Sequence, residues 1–376
     1  MKVVFTGGGT GGHFFPLIAV AEQLNAIVDQ DNLADVELYY FADKPYDKKL
    51  LYENSLQYEY IPAGKIRVYP SLKNIRDMFI TGIGCIQAFF KLVAIYPDVI
   101  FSKGGYSAFP TVFAARILNI PVIIHESDSV PGRVSLWSGK FAHKVASSYK
   151  QVHSYFSKEK LIHTGQPIRV DLQNASAEGA HQFLGLDKET PVIWIIGGSL
   201  GAQKINEVIE EALPQLLPKY QVIHQTGEAN YKELKVLTDA ILSDNPYKNR
   251  YHIFPFLNKL SMKMAAGVSD VIITRAGSML FEIAHWRIPA IVIPITHSQG
   301  NHQIRNAYSF AREGAGIVIE ENNLSDNQLV FEINRIYDNP EVQQSMKEGA
   351  ERFDIPDAAK KIAQEIVDIC LEHELS

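Results

Sequence analysis

His13 is an imidazole standing where a simple phosphate cradle has no need of one. It closes the run Gly7-Gly8-Gly9-Thr10-Gly11-Gly12-His13, which follows the short apolar stretch Lys2–Thr6. A strand, a glycine run and a helix start bring backbone N–H groups up to an anionic ligand. An imidazole on the first helical turn adds an ionisable group, which points to chemistry beyond holding a phosphate. The helix N-terminus is expected to depress its pKa and keep it neutral near pH 7. The plainer alternative is that His13 only shapes the loop and that the glycines only allow a tight turn.

The run lacks the Lys-Ser/Thr ending of a P-loop, which excludes that class of ATPase. It contains the dinucleotide spacing Gly7-x-Gly9-x-x-Gly12, but the acidic residue due about 20 residues on is missing. Asp43 stands about 30 residues downstream and matches poorly. A nicotinamide-dependent oxidoreductase is therefore disfavoured. Further polar turns are Ser102-Lys103-Gly104-Gly105-Tyr106 and His125-Glu126-Ser127-Asp128, followed by Pro131-Gly132. Later come Gly197–Ala202, Thr274-Arg275-Ala276-Gly277-Ser278 with Glu282 one turn on, and Pro294–Gly300 ahead of His302-Gln303 and Asn306.

The elements that must carry these turns alternate between β-rich runs and helical patterns, the mark of parallel βαβ units. Strands are expected at Val3–Thr6, Glu37–Phe41, Tyr58–Ile61, Val99–Ser102, Val122–His125, Lys144–Ala146 and Leu161–Thr164, with helices at Pro16–Val28, Leu72–Ile95 and Thr111–Leu118. The rhythm restarts with Val192–Ile196, a second glycine turn and a helix over Gln203–Leu217. Strands at Gln221–Gln225, Tyr251–Phe254, Val271–Thr274, Ala290–Ile293 and Gly316–Ile319 follow. The fold class is thus α/β, with two doubly wound Rossmann-like domains facing a cleft. Their expected extents are 1–167 and 168–352, with a C-terminal helix at about 353–376 packing back on the first. Ligands of such sheets bind outside the carboxyl ends of the strands.

A chain of 376 residues is long enough for two cores. Its net charge of −6 argues against a nucleic-acid binder. Cys85 and Cys370 are far apart, so neither a disulfide framework nor a metal spacing is expected, and a reducing cytoplasm fits. No signal peptide is read before the first strand. Met78–Ile95 is interrupted by Thr81, Gln87 and Lys91, too polar for a transmembrane helix. It reads as a packed surface helix or as a membrane-surface patch, since Lys65, Arg67, Lys73 and Arg76 lie just upstream of Phe79, Ile80, Ile83, Phe89 and Phe90.

The ordered series of turns resembles the MurG family, bacterial glycosyltransferases that add N-acetylglucosamine to the lipid-linked muramyl-pentapeptide precursor of peptidoglycan. Its segments are Gly8-Gly9-Thr10-Gly11-Gly12-His13-x-x-Pro16, Ser102–Tyr106 with Pro110, His125–Asp128 with Pro131-Gly132, and Gly165-x-Pro167-Ile168-Arg169. Gly197-Gly198-Ser199-x-Gly201-Ala202, Gln225-Thr226-Gly227, Arg275-Ala276-Gly277-Ser278 and His302-Gln303-x-x-Asn306-Ala307 complete it.

The resemblance implies a GT-B fold whose C-terminal domain holds UDP-N-acetylglucosamine. It implies nucleotide contacts from Ser199 and Arg169, and backbone N–H groups of Ser278, Met279 and Leu280 facing the phosphates. Glu282 is implied on the ribose, Gln303 with His302 on the sugar, and Leu257 against the uracil. Thr10, Gly11, Gly12 and His13, with the turn through Asp128, fall on the acceptor side. The product linkage requires one inverting displacement, for which His13 is the candidate base and Glu126 the runner-up. Helix N-termini neutralise a diphosphate without a cation, so no cofactor and no metal are expected. The implied partners are UDP-N-acetylglucosamine, the lipid-linked muramyl-pentapeptide and an anionic membrane surface, and no nucleic acid. The implied location is peripheral, on the cytoplasmic face of the cell membrane.

Some positions depart from the family pattern. Asp128 stands where many members have Asn, and Gln166 where Asn is usual. Arg133-Val134-Ser135 replaces an apolar-Ala-Asn segment, Arg275 to Glu282 is one residue short, and Leu280 replaces a hydroxyl residue. Rival readings are a glycolipid glycosyltransferase and a UDP-N-acetylglucosamine 2-epimerase.

Overall fold

The computed structural model describes residues 1–376 except 32, 34–35, 66, 68–70, 199–200, 297–298 and 376. The chain forms two compact units, Met1–Val170 with Ile355–Ser376, and Asp171–Asp354. Unit 1 carries β1 (Lys2–Thr6), β2 (Glu37–Ala42), β3 (Leu56–Tyr60), β4 (Val99–Ser102), β5 (Val122–Glu126), β6 (Lys144–Ser147) and β7 (Leu161–His163). They form one parallel sheet in the order β3-β2-β1-β4-β5-β6-β7. Unit 2 repeats the plan with β8 (Val192–Ile196), β9 (Gln221–Gln225), β10 (Tyr251–Phe254), β11 (Val271–Thr274), β12 (Ala290–Val292) and β13 (Gly316–Val318). Their order is β10-β9-β8-β11-β12-β13, again parallel. Strand order reverses between β1 and β4 and between β8 and β11, and each reversal opens a crevice at the carboxyl ends.

The central strands are apolar runs because helices cover both of their faces. Val3, Val4 and Phe5 are fully buried. On one side of sheet 1 lie Phe14, Leu17 and Ile18 of the Gly11–Gln30 helix, with Ile362, Ile366 and Val367 of the Ala358–Leu375 helix. On the other lie Ala88, Leu92, Val112 and Ala115. In unit 2, Ile205, Ile209 and Leu213 share one layer with Leu329 and Ile333, while Leu280, Ile283 and Phe310 fill the opposite one. Each such large side chain contributes about 1.5–3 kcal/mol through its removal from water.

Two expected boundaries move. The first helix starts at Gly11 rather than Pro16, because Thr10 O accepts the N–H groups of His13 and Phe14 despite the low helix propensity of glycine. The strand expected at Tyr58–Ile61 runs from Leu56, which is buried and pairs with Leu38.

The Leu72–Ile95 helix is capped by Ser71 and ends where Tyr96 turns left-handed. Among the described residues it is the one helix long and apolar enough to cross a membrane. It buries a narrow stripe of Asp77, Thr81, Gly84, Ala88 and Leu92. Gly84 permits that packing, since a Cβ there would lie 1.9 Å from the Pro62 carbonyl oxygen. Its polar residues are used locally: Gln87 donates to Tyr60 O at 2.9 Å, and Lys91 pairs with Glu59. Its other face exposes Ile75, Met78, Phe79, Ile83, Ile86, Phe90 and Val93 to solvent, with Phe79 69% and Phe90 66% accessible.

Candidate active site

In unit 1 the site is built where β1, β4 and β5 end. Gly7 adopts φ +142°, and a Cβ on it would meet the Lys103 Cβ at 2.8 Å, so only glycine fits. Tyr40 OH donates to Gly7 O at 2.7 Å, and the Tyr106 ring lies 3.2 Å from where a Gly9 Cβ would stand. Tyr106 OH and Ser107 Oγ in turn donate to the Asp43 carboxylate at 3.0 and 2.7 Å. Asp43, a poor ribose ligand by spacing, is therefore the anchor that holds Tyr106 over the glycine run.

That run sets up His13. The Thr10 hydroxyl lies 3.1 Å from Nδ1, and a Cβ on Gly105 would sit 3.7 Å from Nε2. The His13 pKa is pulled down to about 4, first by burial and then by the Lys103 ammonium, while Asp128 pulls it upward. The imidazole is neutral at pH 7, with burial and a neighbouring cation as the causes.

The turn after β5 is organised by Glu126. Its oxygens accept the backbone N–H groups of Asp128 at 3.1 Å and Gly132 at 3.0 Å. Burial and the Asp128 charge raise its pKa. Both of its oxygens thus hold backbone donors and shape the turn through Asp128 to Gly132. His125 is likewise a support: Nε2 faces Gly165 O at 2.9 Å, and burial keeps the ring neutral. Arg169 lies in unit 1, its guanidinium 4.3 Å above the Phe15 ring.

In unit 2 the corresponding turns are cross-braced. Gln225, at the end of β9, donates to Gly198 O at 3.3 Å and accepts from Leu257 N at 2.9 Å. Asn306 donates to Ala276 O at 3.1 Å, joining the His302–Arg312 helix to the turn after β11. Arg275 donates to Ile293 O at 3.1 Å and pairs with Glu321 at 2.5 Å, so one guanidinium ties together the ends of three neighbouring segments. Glu282 sits in the first turn of the Met279–Trp286 helix, partly exposed. Gln303 Oε1 accepts from Ile295 N at 3.1 Å, which ties the preceding loop to the helix carrying His302.

Two expectations change here. Leu280 N–H is spent on Gly277 O at 3.2 Å, which leaves Ser278 and Met279 as the backbone candidates for a phosphate. The Leu257 side chain is 1% exposed and belongs to the core, so it offers no stacking surface to a base, whereas the adjacent Phe256 is exposed. Ser199 lies outside the described residues.

Residues 3–147 match the glycosyltransferase family 28 N-terminal domain, and residues 192–362 match its C-terminal domain. A Bacillus thuringiensis protein named UDP-N-acetylglucosamine--N-acetylmuramyl-(pentapeptide) pyrophosphoryl-undecaprenol N-acetylglucosamine transferase 3 is 36% identical over 90% of this chain and 92% of its own length. A Treponema denticola protein named as the same transferase is 35% identical over 84% of this chain and 83% of its own. The chain belongs to the MurG family. Its fold agrees: the crystal structure of Acinetobacter baumannii MurG has a TM-score of 0.73 at 25% identity, covering 98% of this chain and 99% of that one. Two parallel α/β domains of GT-B type are therefore established. The UDP-GlcNAc 2-epimerase of Neisseria meningitidis shares the fold, with a TM-score of 0.69 at 16% identity over 98% of this chain and all of that one. Shared fold does not carry shared chemistry.

Within this MurG-family chain, the residues that the resemblance implied, Thr10, Gly11, Gly12, His13 and Asp128, stand at one set of strand ends, and Ser278, Met279, Glu282, His302 and Gln303 near another. Spacing missed the supports. Tyr106, Asn306, Gln225 and Arg275 all stood inside quoted motifs, and a polar side chain directly at a strand end was the available signal for each.

Proposed function

We propose that this protein transfers N-acetylglucosamine from UDP-N-acetylglucosamine to the N-acetylmuramyl-(pentapeptide) pyrophosphoryl-undecaprenol acceptor of peptidoglycan synthesis. The observation that carries this is the 36% identity over 90% of the chain to a relative bearing that name. The Thr10–His13 pair at the strand-order reversal supplies the matching chemistry.

The reaction is a single displacement. With the Thr10 hydroxyl oxygen accepting from Nδ1–H, His13 Nε2 carries the lone pair that takes the proton of the attacking acceptor hydroxyl. A bond forms from that oxygen to the anomeric carbon as the bond to UDP breaks, inverting the configuration. UDP leaves with the electron pair, its charge met by the N–H groups of Ser278 and Met279 and by the turn that includes Ser199. A pKa near 4 is low for a base, and an acceptor bearing a diphosphate raises it by placing negative charge nearby. Glu282 is assigned to the ribose, Arg169 to the nucleotide, and Gln303 with His302 to the sugar. The Leu257 backbone, braced by Gln225, is assigned to the uracil.

The exposed apolar face of the Leu72–Ile95 helix, with Lys73 and Arg76 at its start, supports peripheral attachment to an anionic leaflet on the cytoplasmic face. The deciding experiment supplies radiolabelled UDP-N-acetylglucosamine with a panel of lipid acceptors, with and without EDTA. Label is expected in the muramyl-pentapeptide lipid in both cases. UDP release at the same rate without acceptor, as an epimerase would give, or transfer only to another glycolipid, overturns the reading.

A further inference from the structure

The segment Asp43–Asp47, directly after β2, reaches the glycine run from two directions. At its start the Asp43 carboxylate anchors Tyr106, whose ring lies against Gly9. At its end Asp47 caps the Lys48–Glu53 helix, accepting from Lys49 N at 2.9 Å and Leu50 N at 3.1 Å. Between these fixed points Tyr46 is turned left-handed, at φ +46°. A bulky residue is uncommon in that region and persists only where its surroundings hold it there. Here the surroundings are aromatic. The Tyr46 ring centroid is 4.8 Å from that of Phe14 and 5.7 Å from that of Phe15, edge to face in the second case. Phe15 in turn carries the Arg169 guanidinium. This packing puts the Tyr46 hydroxyl 2.9 Å from where a Cβ on Gly11 would stand, two residues before His13.

The tyrosines around the run differ in what their hydroxyls do. Tyr106 OH is committed to Asp43, and Tyr40 OH to Gly7 O. Tyr46 OH makes no hydrogen bond to the protein among the described residues, and the residue is 45% exposed. Thr10, beside it on the run, is exposed as well. A phenylalanine would pack on Phe14 and Phe15 as a tyrosine does, so packing leaves the hydroxyl unexplained. A phenol with its ring buried and its tip wet suits a ligand that brings a hydrogen-bonding group of its own. We propose that Tyr46 is a specificity-determining residue for the acceptor, its hydroxyl hydrogen-bonding to a polar substituent of the acceptor sugar while His13 faces the hydroxyl that attacks. This rests on the reading of the chain as a transferase that glycosylates a lipid-linked sugar. The contact belongs to binding and not to bond-making, so it governs the acceptor and leaves the donor untouched.

The test uses the full chain with Tyr46→Phe, which deletes the hydroxyl and keeps the ring on Phe14 and Phe15, and with Tyr46→Ala, which removes both. Steady-state transfer is measured with radiolabelled UDP-N-acetylglucosamine and the muramyl-pentapeptide lipid in detergent, each substrate varied in turn. Tyr46→Phe is expected to raise the acceptor KM about fivefold, the size of one neutral hydrogen bond, while kcat, donor KM and the urea midpoint stay near wild type. Tyr46→Ala is expected to raise the acceptor KM at least as much. An unchanged acceptor KM in Tyr46→Phe, or a donor KM that rises in step with it, overturns the proposal. If Tyr46→Ala does not fold, Tyr46→Phe decides alone. Wild type run alongside separates the two readings: its failure to label this lipid refutes the proposed function. Tyr46→Phe is then judged by the same split on whichever lipid of the panel wild type does label, and label in no lipid overturns both.

Discussion

The hydroxyl of Thr10 stands 3.1 Å from Nδ1 of His13, one helical turn away on the same glycine run. That contact occupies Nδ1 and leaves Nε2 for the base role proposed above. Thr10→Val keeps the shape and removes the partner, so kcat is expected to fall about 10- to 100-fold with little change in UDP affinity. Thr10→Ser should keep most of the activity. Steady-state transfer kinetics with parallel UDP titration measure both, and equal losses in the two variants would remove the contact from the mechanism.

Acid stability follows from His224. Its ring lies 2.9 Å from Tyr251 OH and 3.1 Å from Asn206 Oδ1, and burial lowers its pKa to about 3. In the unfolded chain the value returns to about 6.5. The unfolded state therefore binds the extra proton across that window, and stability falls as pH drops from about 6.5 towards 3. The slope is about 1.4 kcal/mol per pH unit for this one group, an order-of-magnitude figure. Urea midpoints measured against pH should decline steeply below pH 6 in the wild type and less steeply in His224→Asn.

Arg275 braces the unit 2 turns that are proposed to hold the donor. Arg275→Met deletes the bonds to Ile293 O and Glu321, and loosening these turns should raise KM for UDP-N-acetylglucosamine about tenfold more than it lowers kcat. Arg275→Lys should recover little, because a single ammonium cannot reach two partners in the geometry of a guanidinium fork. An unchanged donor KM in both would show that the turns hold without it.

Membrane attachment should depend on the outer face of the Leu72–Ile95 helix and not on its buried stripe. Phe79→Asp with Phe90→Asp is expected to abolish flotation with anionic vesicles, while activity on a soluble acceptor analogue and the unfolding midpoint stay near wild type. High salt should weaken, not abolish, binding of the unmodified protein. Flotation that survives the double substitution would place the contact elsewhere.

The fold was legible wherever burial imposes a simple rule. β8, β9, β10 and β11 run over the segments that their apolar patterns marked, and the Leu72–Ile95 helix has the ends expected for it. The first helix was read short because Gly11 and Gly12 look like loop, although tertiary packing pays little attention to propensity there. The support of the site was not legible from spacing. Asp43 meets Tyr106 and Ser107 across 63 and 64 residues of chain, and Gln225 joins turns 27 and 32 residues away. Spacing names residues within one element; partners brought together by a sheet become visible only in three dimensions. The same reason hid the burial of Leu257.

The Ala358–Leu375 helix lays Ile362, Ile366 and Val367 on the layer that also holds Phe14 and Leu17, so the domain begun first during synthesis is closed last. Every residue of Asp171–Asp354 is synthesised before that helix is made. Until then the layer around Phe14 waits with one wall missing, open to chaperones and proteases. Nonsense mutations near residue 355 would therefore spoil the half of the protein that lies farthest away along the message.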